Sequence, residues 1–113
     1  MPVDKKSHIF SERELQLLWA GWLFTRDYFL VLKAVRAGAE KVADIFASVR
    51  QYAEVSEYTV VKTLRDLAKN GLLTKEGRVV KGRNTNFYKP SPTLETFLQD
   101  LPQLVTDLIE EVG

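Results

Sequence analysis

The chain has 113 residues, of which 45% are hydrophobic and 27% charged, and its formal net charge is +1. This length supports one domain with a core of modest size, and the composition is that of a folded globular protein rather than a disordered one. The absence of cysteine excludes disulfides, thiolate metal sites and cysteine nucleophiles. No apolar run has the length of a signal peptide or a membrane span, so we expect a cytoplasmic protein without a membrane partner.

A first helix is predicted for about residues 12–24. Residues 11–14 have the capping-box pattern, in which Ser11 and the glutamate three residues later cap each other's backbone amides. Trp19 and Trp22 belong to an apolar surface that is larger than a short chain readily covers. We therefore expect both tryptophans to contact a second subunit; the alternative is that both are core residues.

Three further helices are predicted in the middle of the chain. Residues 27–37 form the second, which ends at Gly38, and residues from Val42 to about 52 have the three-and-four spacing of a short amphipathic helix. Ser56 is the expected N-cap of a longer fourth helix that ends at Asn70-Gly71. The stripe that this fourth helix is expected to bury consists of Val60, Leu64 and Leu67.

Beyond Gly71 the apolar period changes to two, which predicts strands. Residues 72–75 and 78–81 form either one strand or two with a turn at 76–77, and residues 86–89 form another. Residues 82–85, which contain glycine and asparagine, are the expected tip. The pattern predicts a β-hairpin with a basic tip, in which Phe87 and Tyr88 pack on the core.

A last helix is predicted from about residue 93. Its apolar positions are spaced alternately four and three apart, which is typical of a helix–helix interface. Pro102 removes a backbone donor within it, so we expect a kink or two short helices there. With the two tryptophans, the candidate dimerisation residues are Trp19, Trp22, Leu94, Leu98, Leu101, Val105 and Leu108.

Residues 58–73, YTVVKTLRDLAKNGLL, resemble the recognition helix of ArsR-, MarR- and PadR-type bacterial and archaeal regulators, in which paired leucines and a Gly-Leu-Leu exit recur. Residues 81–88, KGRNTNFY, are similar to the wing of those regulators. The resemblance covers residues 27–90. It implies an α+β, mostly α, winged helix-turn-helix domain there, with an N-terminal accessory helix in residues 1–26 and a C-terminal dimerisation helix in residues 91–113.

The charges are segregated along the chain. Residues 56–89 carry eight Lys/Arg and three Asp/Glu, a balance of +5, whereas residues 90–113 carry five acidic residues and no basic ones. A local concentration of positive charge attracts a phosphate backbone whatever the total charge of the chain. A charged face that serves only solvation is the alternative interpretation.

Because the fourth helix buries one stripe, its opposite face carries polar residues, and its N-terminal half is the part that can enter a major groove. Lysine and arginine there can reach guanine or phosphate, hydroxyl groups can donate to phosphate, and tyrosine or valine can contact a thymine methyl. Arg83 at the expected hairpin tip suits a minor groove. The candidate DNA-binding residues are Ser56, Tyr58, Thr59, Val61, Lys62, Arg65, Arg78, Lys81, Arg83 and Asn84.

Metal sensing and catalysis lack the residues that they require. The single histidine is His8, and without cysteines no ArsR-type metal cluster can form. Gly77 and Gly82 have the spacing of a phosphate-binding loop, but Arg83-Asn84 replaces the Lys-Ser/Thr pair and no helix follows. We expect no cofactor, no metal site and no enzymatic activity.

The predicted function is sequence-specific binding of double-stranded DNA by a homodimeric, nucleoid-associated transcription regulator, more often a repressor than an activator. One alternative is a partition or architectural protein that spreads along DNA. Another is a winged-helix module that binds only an unidentified protein partner, through the same basic surface. Basic residues on both the fourth helix and the hairpin favour DNA.

Overall fold

The computed structural model describes residues 12–112, without the side chains of a few residues at either end. The predicted N-cap Ser11, His8 and the side chain of Leu108 lie outside the described residues. The described residues form five helices and one two-stranded sheet, in the order α1 (Glu12–Leu23), α2 (Arg26–Arg36), α3 (Val42–Arg50), α4 (Glu57–Lys69), β1 (Leu73–Val80), β2 (Arg83–Pro90) and α5 (Pro92–Val112). The predicted winged-helix architecture, mostly α with one hairpin, is confirmed.

The helix α4 begins and ends as its sequence predicts. Ser56 has extended backbone angles, and its side chain accepts a hydrogen bond of 3.1 Å from the amide of Thr59. Gly71 follows the helix with φ of +92°, a conformation that favours glycine. The predicted stripe is buried, and Thr63 is buried beside it. The outer face of α4 is therefore fixed by the packing of its inner face.

The strands β1 and β2 pair antiparallel from Leu73 opposite Pro90 to Val80 opposite Arg83. The turn between them is only Lys81 and Gly82, with φ of 53° and 78°, as a tight two-residue hairpin turn requires. Of the two predicted alternatives, a single strand is the one present; it spans Leu73–Val80, with Gly77 inside it. The expected four-residue tip was wrong, because residues 83–85 already pair with β1.

The core lies where α2, α3 and α4 meet, and the base of the hairpin closes it. Ile45, Leu64 and Leu67 have no exposed surface. Tyr88 is buried as predicted, and its amide donates a hydrogen bond of 2.9 Å to the carbonyl oxygen of Glu40, just before α3. This contact fixes the hairpin relative to the three helices.

The helix α5 is continuous from Pro92 to Val112 although Pro102 lies inside it. The expectation of two short helices was therefore wrong. Leu94 and Phe97 before the proline and Leu104 after it are all buried against the rest of the chain. Packing on both sides of Pro102 outweighs the loss of one backbone hydrogen bond.

Candidate nucleic-acid interface

The outward face of α4 is polar and exposed in its N-terminal half. Tyr58 is 73% exposed, and Lys62 and Arg65 are also exposed. Val61, which was expected to be exposed, is half-buried. A helix of this length is about 20 Å long, and its exposed side chains form a surface that a duplex groove can accept.

The two hydroxyl residues at the start of α4 are engaged in the cap. Ser56 Oγ accepts from the Thr59 amide and lies 3.0 Å from Thr59 Oγ1. Both side chains therefore have a local structural role, which sequence reasoning assigned only to Ser56. Contact of either hydroxyl with a phosphate stays a prediction.

The positive charge of Arg65 on α4 acts on Tyr88 in the hairpin. Burial raises the pKa of the Tyr88 phenol in β2, and the nearby charge of Arg65 acts in the opposite direction. The guanidinium of Arg65 is therefore close enough to the base of the hairpin to affect Tyr88 electrostatically. Within the part of the chain that the structure describes, no acidic side chain pairs with Arg65.

Arg78 has a different environment from the other hairpin cations. Its Nη2 lies 3.0 Å from Oε1 of Glu76, and its guanidinium carbon lies 4.2 Å from the centre of the Phe87 ring. The hydrogen bond that Arg78 donates to Glu76 lowers the pKa of the Glu76 carboxyl and raises the pKa of the Arg78 guanidinium. Arg78 thus has internal partners that must be given up, at least in part, before it binds a phosphate.

Lys81, Arg83 and Asn84 are exposed, and none has a charged partner in the described region. The register assigns them different directions, because directly paired residues share a face of the sheet. Arg83 is opposite Val80, whereas Asn84 is opposite Val79 on the other face. The side chains of Arg83 and Asn84 therefore lie on opposite faces of the sheet near the turn.

Sequence reasoning missed the apolar residues next to the turn and the cation Lys75. Val79 is 71% exposed and Val80 is also exposed. The available signal was the pair of consecutive valines immediately before Lys81-Gly82. Neighbouring residues of a strand point to opposite faces, so a strand that packs on one face buries only one valine of the pair. Lys75 and Lys89 add exposed positive charge nearer the base of the hairpin.

The candidate dimerisation residues fall into two groups. Trp19 is only 8% exposed and Leu94 is buried, both within a single chain, so each has little side-chain surface left for a partner. Trp22 is half-buried and stacks on Tyr28 with ring centres 5.0 Å apart. Leu98 and Leu101 are half-buried and Val105 is exposed.

Other apolar residues in or next to the helices are exposed, and sequence reasoning did not select them as dimerisation residues. Phe24 after α1, Phe29 in α2 and Ile109 in α5 are all exposed. A groove of about 320 Å³ lies between α2 and α5. It is lined by Leu23, Phe29, Leu32, Lys33, Arg36, Leu94 and Leu98.

Within residues 12–112, no group of three or more acidic, histidine or cysteine side chains could hold a metal ion. Among the helices of the same region, none is both long and apolar enough to cross a membrane.

Several solved structures have a similar fold, among them the following two. One is smu.1704 from Streptococcus mutans UA159, with a TM-score of 0.57 and 24% identity over 74% of this chain and 77% of that one. The other is a PadR-like transcription factor from Bacteroides fragilis, with a TM-score of 0.58 and 21% identity over 85% of this chain and 93% of that one. No family model matches the chain, and no curated protein is similar to it in sequence. The chain therefore has the winged-helix fold of PadR-like regulators.

Proposed function

We propose that the chain is a transcription regulator that binds double-stranded DNA as a homodimer, with α4 in a major groove and the β1–β2 hairpin on the adjacent backbone or minor groove. The observation that carries this proposal is that two basic elements are neighbours, since α4 packs against β1 of the hairpin. The exposed face of α4 carries Lys62 and Arg65, and Arg65 is close to the base of the hairpin whose outer end carries Lys81 and Arg83. Basic side chains on two neighbouring elements attract the phosphate backbone of a duplex.

The binding surface combines two kinds of contact. Lys81 and Arg83 have no internal partner in the described region and can release counterions from the duplex, which gives affinity but no sequence preference. Tyr58 and the half-buried Val61 offer apolar contact to base edges from α4. A duplex-binding protein of this kind would belong with the nucleoid in the cytoplasm.

The proposed dimer uses the apolar surface of α1, α2 and α5. Val105 and Ile109 are exposed near the acidic end of α5, and the groove between α2 and α5 has Lys33 and Arg36 in its lining. The end of one α5 therefore matches the groove of a second copy in both polarity and charge. A two-fold arrangement would bury each surface twice and place the two α4 helices about 34 Å apart.

Selection of binding sites from a random duplex pool, followed by footprinting, tests the proposal. We expect an inverted repeat whose half-sites are about one helical turn, ~34 Å, apart. Protection that extends over many repeats as the protein concentration rises would favour a partition or architectural role. Failure of the folded protein to enrich any sequence or to bind duplex at low salt would contradict the proposal and favour a protein partner.

A further inference from the structure

The outer flank of α4 carries a carboxylate in contact with a candidate DNA-binding lysine. Oδ2 of Asp66 lies 3.4 Å from Nζ of Lys62, one helical turn away. The Lys62 side chain is 56% exposed and that of Asp66 only 32% exposed. An ion pair between residues four apart on an exposed helix is weak by itself, so its effect depends on whether the carboxylate is held in place.

Asp66 is held by a second element. The hydroxyl of Tyr28 in α2 donates a hydrogen bond of 2.7 Å to the same Oδ2 atom. The Tyr28 ring is in turn stacked on Trp22 of α1, with an angle of 5° between the ring planes. Three elements therefore fix the carboxylate, and only the lysine side of the ion pair is free to move.

The position of this carboxylate affects any duplex that α4 contacts. When Lys62 moves to a phosphate, it loses its partner, and an uncompensated negative charge is left near the DNA backbone. Like charges at such distances repel, and the repulsion is strongest at low ionic strength. A base acceptor that binds Lys62 with good geometry can offset this loss, but a loosely placed phosphate offsets less of it.

We propose that Asp66, held by Tyr28, is a specificity-determining residue that competes with DNA phosphates for Lys62 and so weakens binding to non-cognate duplex. This inference rests on the proposed function, because it assigns a role within the same DNA-binding surface. Asp66 is a positioning residue here; it acts through Lys62 and touches no base itself.

The variant Asp66→Asn tests the inference. Asparagine keeps an oxygen that accepts the Tyr28 hydrogen bond but removes the charge. We expect affinity for random duplex at low salt to rise about three- to tenfold, and the slope of log K against log salt to become steeper by about one phosphate contact, ~0.9. For a site selected by the native chain, the ratio of specific to random affinity should fall.

Asp100→Asn is the matched control, because it removes one negative charge from an exposed residue of α5. A second test places Asp66→Asn in a chain that already carries Lys62→Ala. The part of the gain that comes from releasing Lys62 should vanish there, and only the smaller effect of direct repulsion between Asp66 and the phosphates should remain. Asp66→Glu keeps the negative charge, so it should retain part of the native ratio of specific to random affinity that Asp66→Asn loses. Unchanged melting temperature and tryptophan fluorescence would show that the helices remain packed.

The outcomes separate this inference from the proposed function. Equal effects of Asp66→Asn and Asp100→Asn, in a native chain that binds duplex, would overturn the role of Asp66 alone. A gain that persists fully in the Lys62→Ala background would overturn it as well. Absence of duplex binding by the native chain and by every variant would overturn both proposals.

Discussion

Trp19 of α1 donates a hydrogen bond of 3.2 Å from its indole nitrogen to the carbonyl oxygen of Asn70, the residue that follows α4. The start of α5 is attached to the same place, because Ser91 Oγ donates a hydrogen bond of 2.6 Å to the carbonyl oxygen of Gly71. Two of the helices that contribute to the proposed dimer surface thus both hold the end of α4. The arrangement of the two subunits in a dimer would therefore determine the position of α4, the helix that we place in the major groove.

Replacing Trp19 with phenylalanine should destabilise the fold by about 2 kcal/mol. The substitution loses the hydrogen bond to Asn70 and part of the edge contact with Phe97, whose ring centre is 5.4 Å away; such losses are each worth about 1 kcal/mol. Urea unfolding measures the change. Trp22→Phe, which can keep its stacking on Tyr28, is the control, and an equal cost for the two variants would contradict the special role of Trp19.

Replacing Ser56 with alanine should cost about 1 kcal/mol, because the amide of Thr59 loses its side-chain acceptor. Ser56→Asn should recover most of the loss, since asparagine is also a good N-cap. Thermal unfolding followed by circular dichroism compares the three chains. If alanine and asparagine behave alike, the cap is not what stabilises the start of α4.

The turn residue Lys81 offers a change that should separate stability from DNA binding. Its φ of 53° is unfavourable for lysine and better suited to asparagine, and Gly82 follows with φ of 78°. Lys81→Asn should therefore raise the melting temperature slightly while it reduces the salt slope of duplex binding by about one contact, ~0.9. A slope equal to that of the native chain would exclude Lys81 from the interface.

The fold should lose stability in alkali through Tyr28. Burial and the hydrogen bond to Asp66 raise the pKa of Tyr28 from an ordinary 10.0 to about 12. As pH rises from 10 to 12, the unfolded chain therefore releases this proton before the folded chain does, and the free energy of unfolding falls. Below pH 10 the phenol of Tyr28 is protonated in both the folded and the unfolded chain, so it adds no pH dependence to the free energy of unfolding there.

Urea unfolding at a series of alkaline pH values measures this loss, and Tyr28→Phe is the test variant. The variant should show a shallower decline, with the part due to the raised pKa of Tyr88 remaining. Equal pH dependence in the two chains would show that Tyr28 ionises alike in the folded and unfolded states.

The proposed dimer surface predicts that Ile109→Asn weakens self-association. Ile109 is 66% exposed, so its replacement removes apolar surface from the interface with little cost to the single chain. Sedimentation equilibrium should show a larger dissociation constant. Val79→Asn, which changes a similarly exposed valine of the hairpin, is the control and should leave the dissociation constant unchanged. A larger dissociation constant for Val79→Asn but not for Ile109→Asn would place the dimer contact on the hairpin.

The sequence was sufficient to predict the helices and the inner face of α4, because both follow from short-range periodicity and caps. It did not predict the turn correctly. Residues 82–85 contain glycine and asparagine, which are common in longer loops, whereas the observed turn requires Lys81 to adopt a positive φ. Nothing local indicates that a lysine will adopt this conformation, since the pairing of the whole hairpin imposes it.

The environments of the side chains depended on contacts that a single sequence does not contain. Periodicity shows that Trp19 belongs to an apolar face, but not whether another part of the chain or a second subunit covers it. The ion pair of Arg78 with Glu76 requires both residues on one strand and one face, which was not certain while a turn at 76–77 remained possible. The contact between Tyr28 and Asp66 joins residues 38 positions apart, and no spacing rule predicts it.

The central claim is that the exposed face of α4 and the β1–β2 hairpin together bind duplex DNA. The most direct test is the salt dependence of binding to random duplex for the native chain and for the double variant Lys62→Ala, Arg83→Ala. The control, Arg26→Ala with Arg50→Ala, also removes two exposed positive charges, but from α2 and α3. We expect the slope of the double variant to be shallower by about two contacts, ~1.8, while the control keeps the native slope. No binding by the folded native chain at low salt, or an equal loss in the control, would contradict the claim.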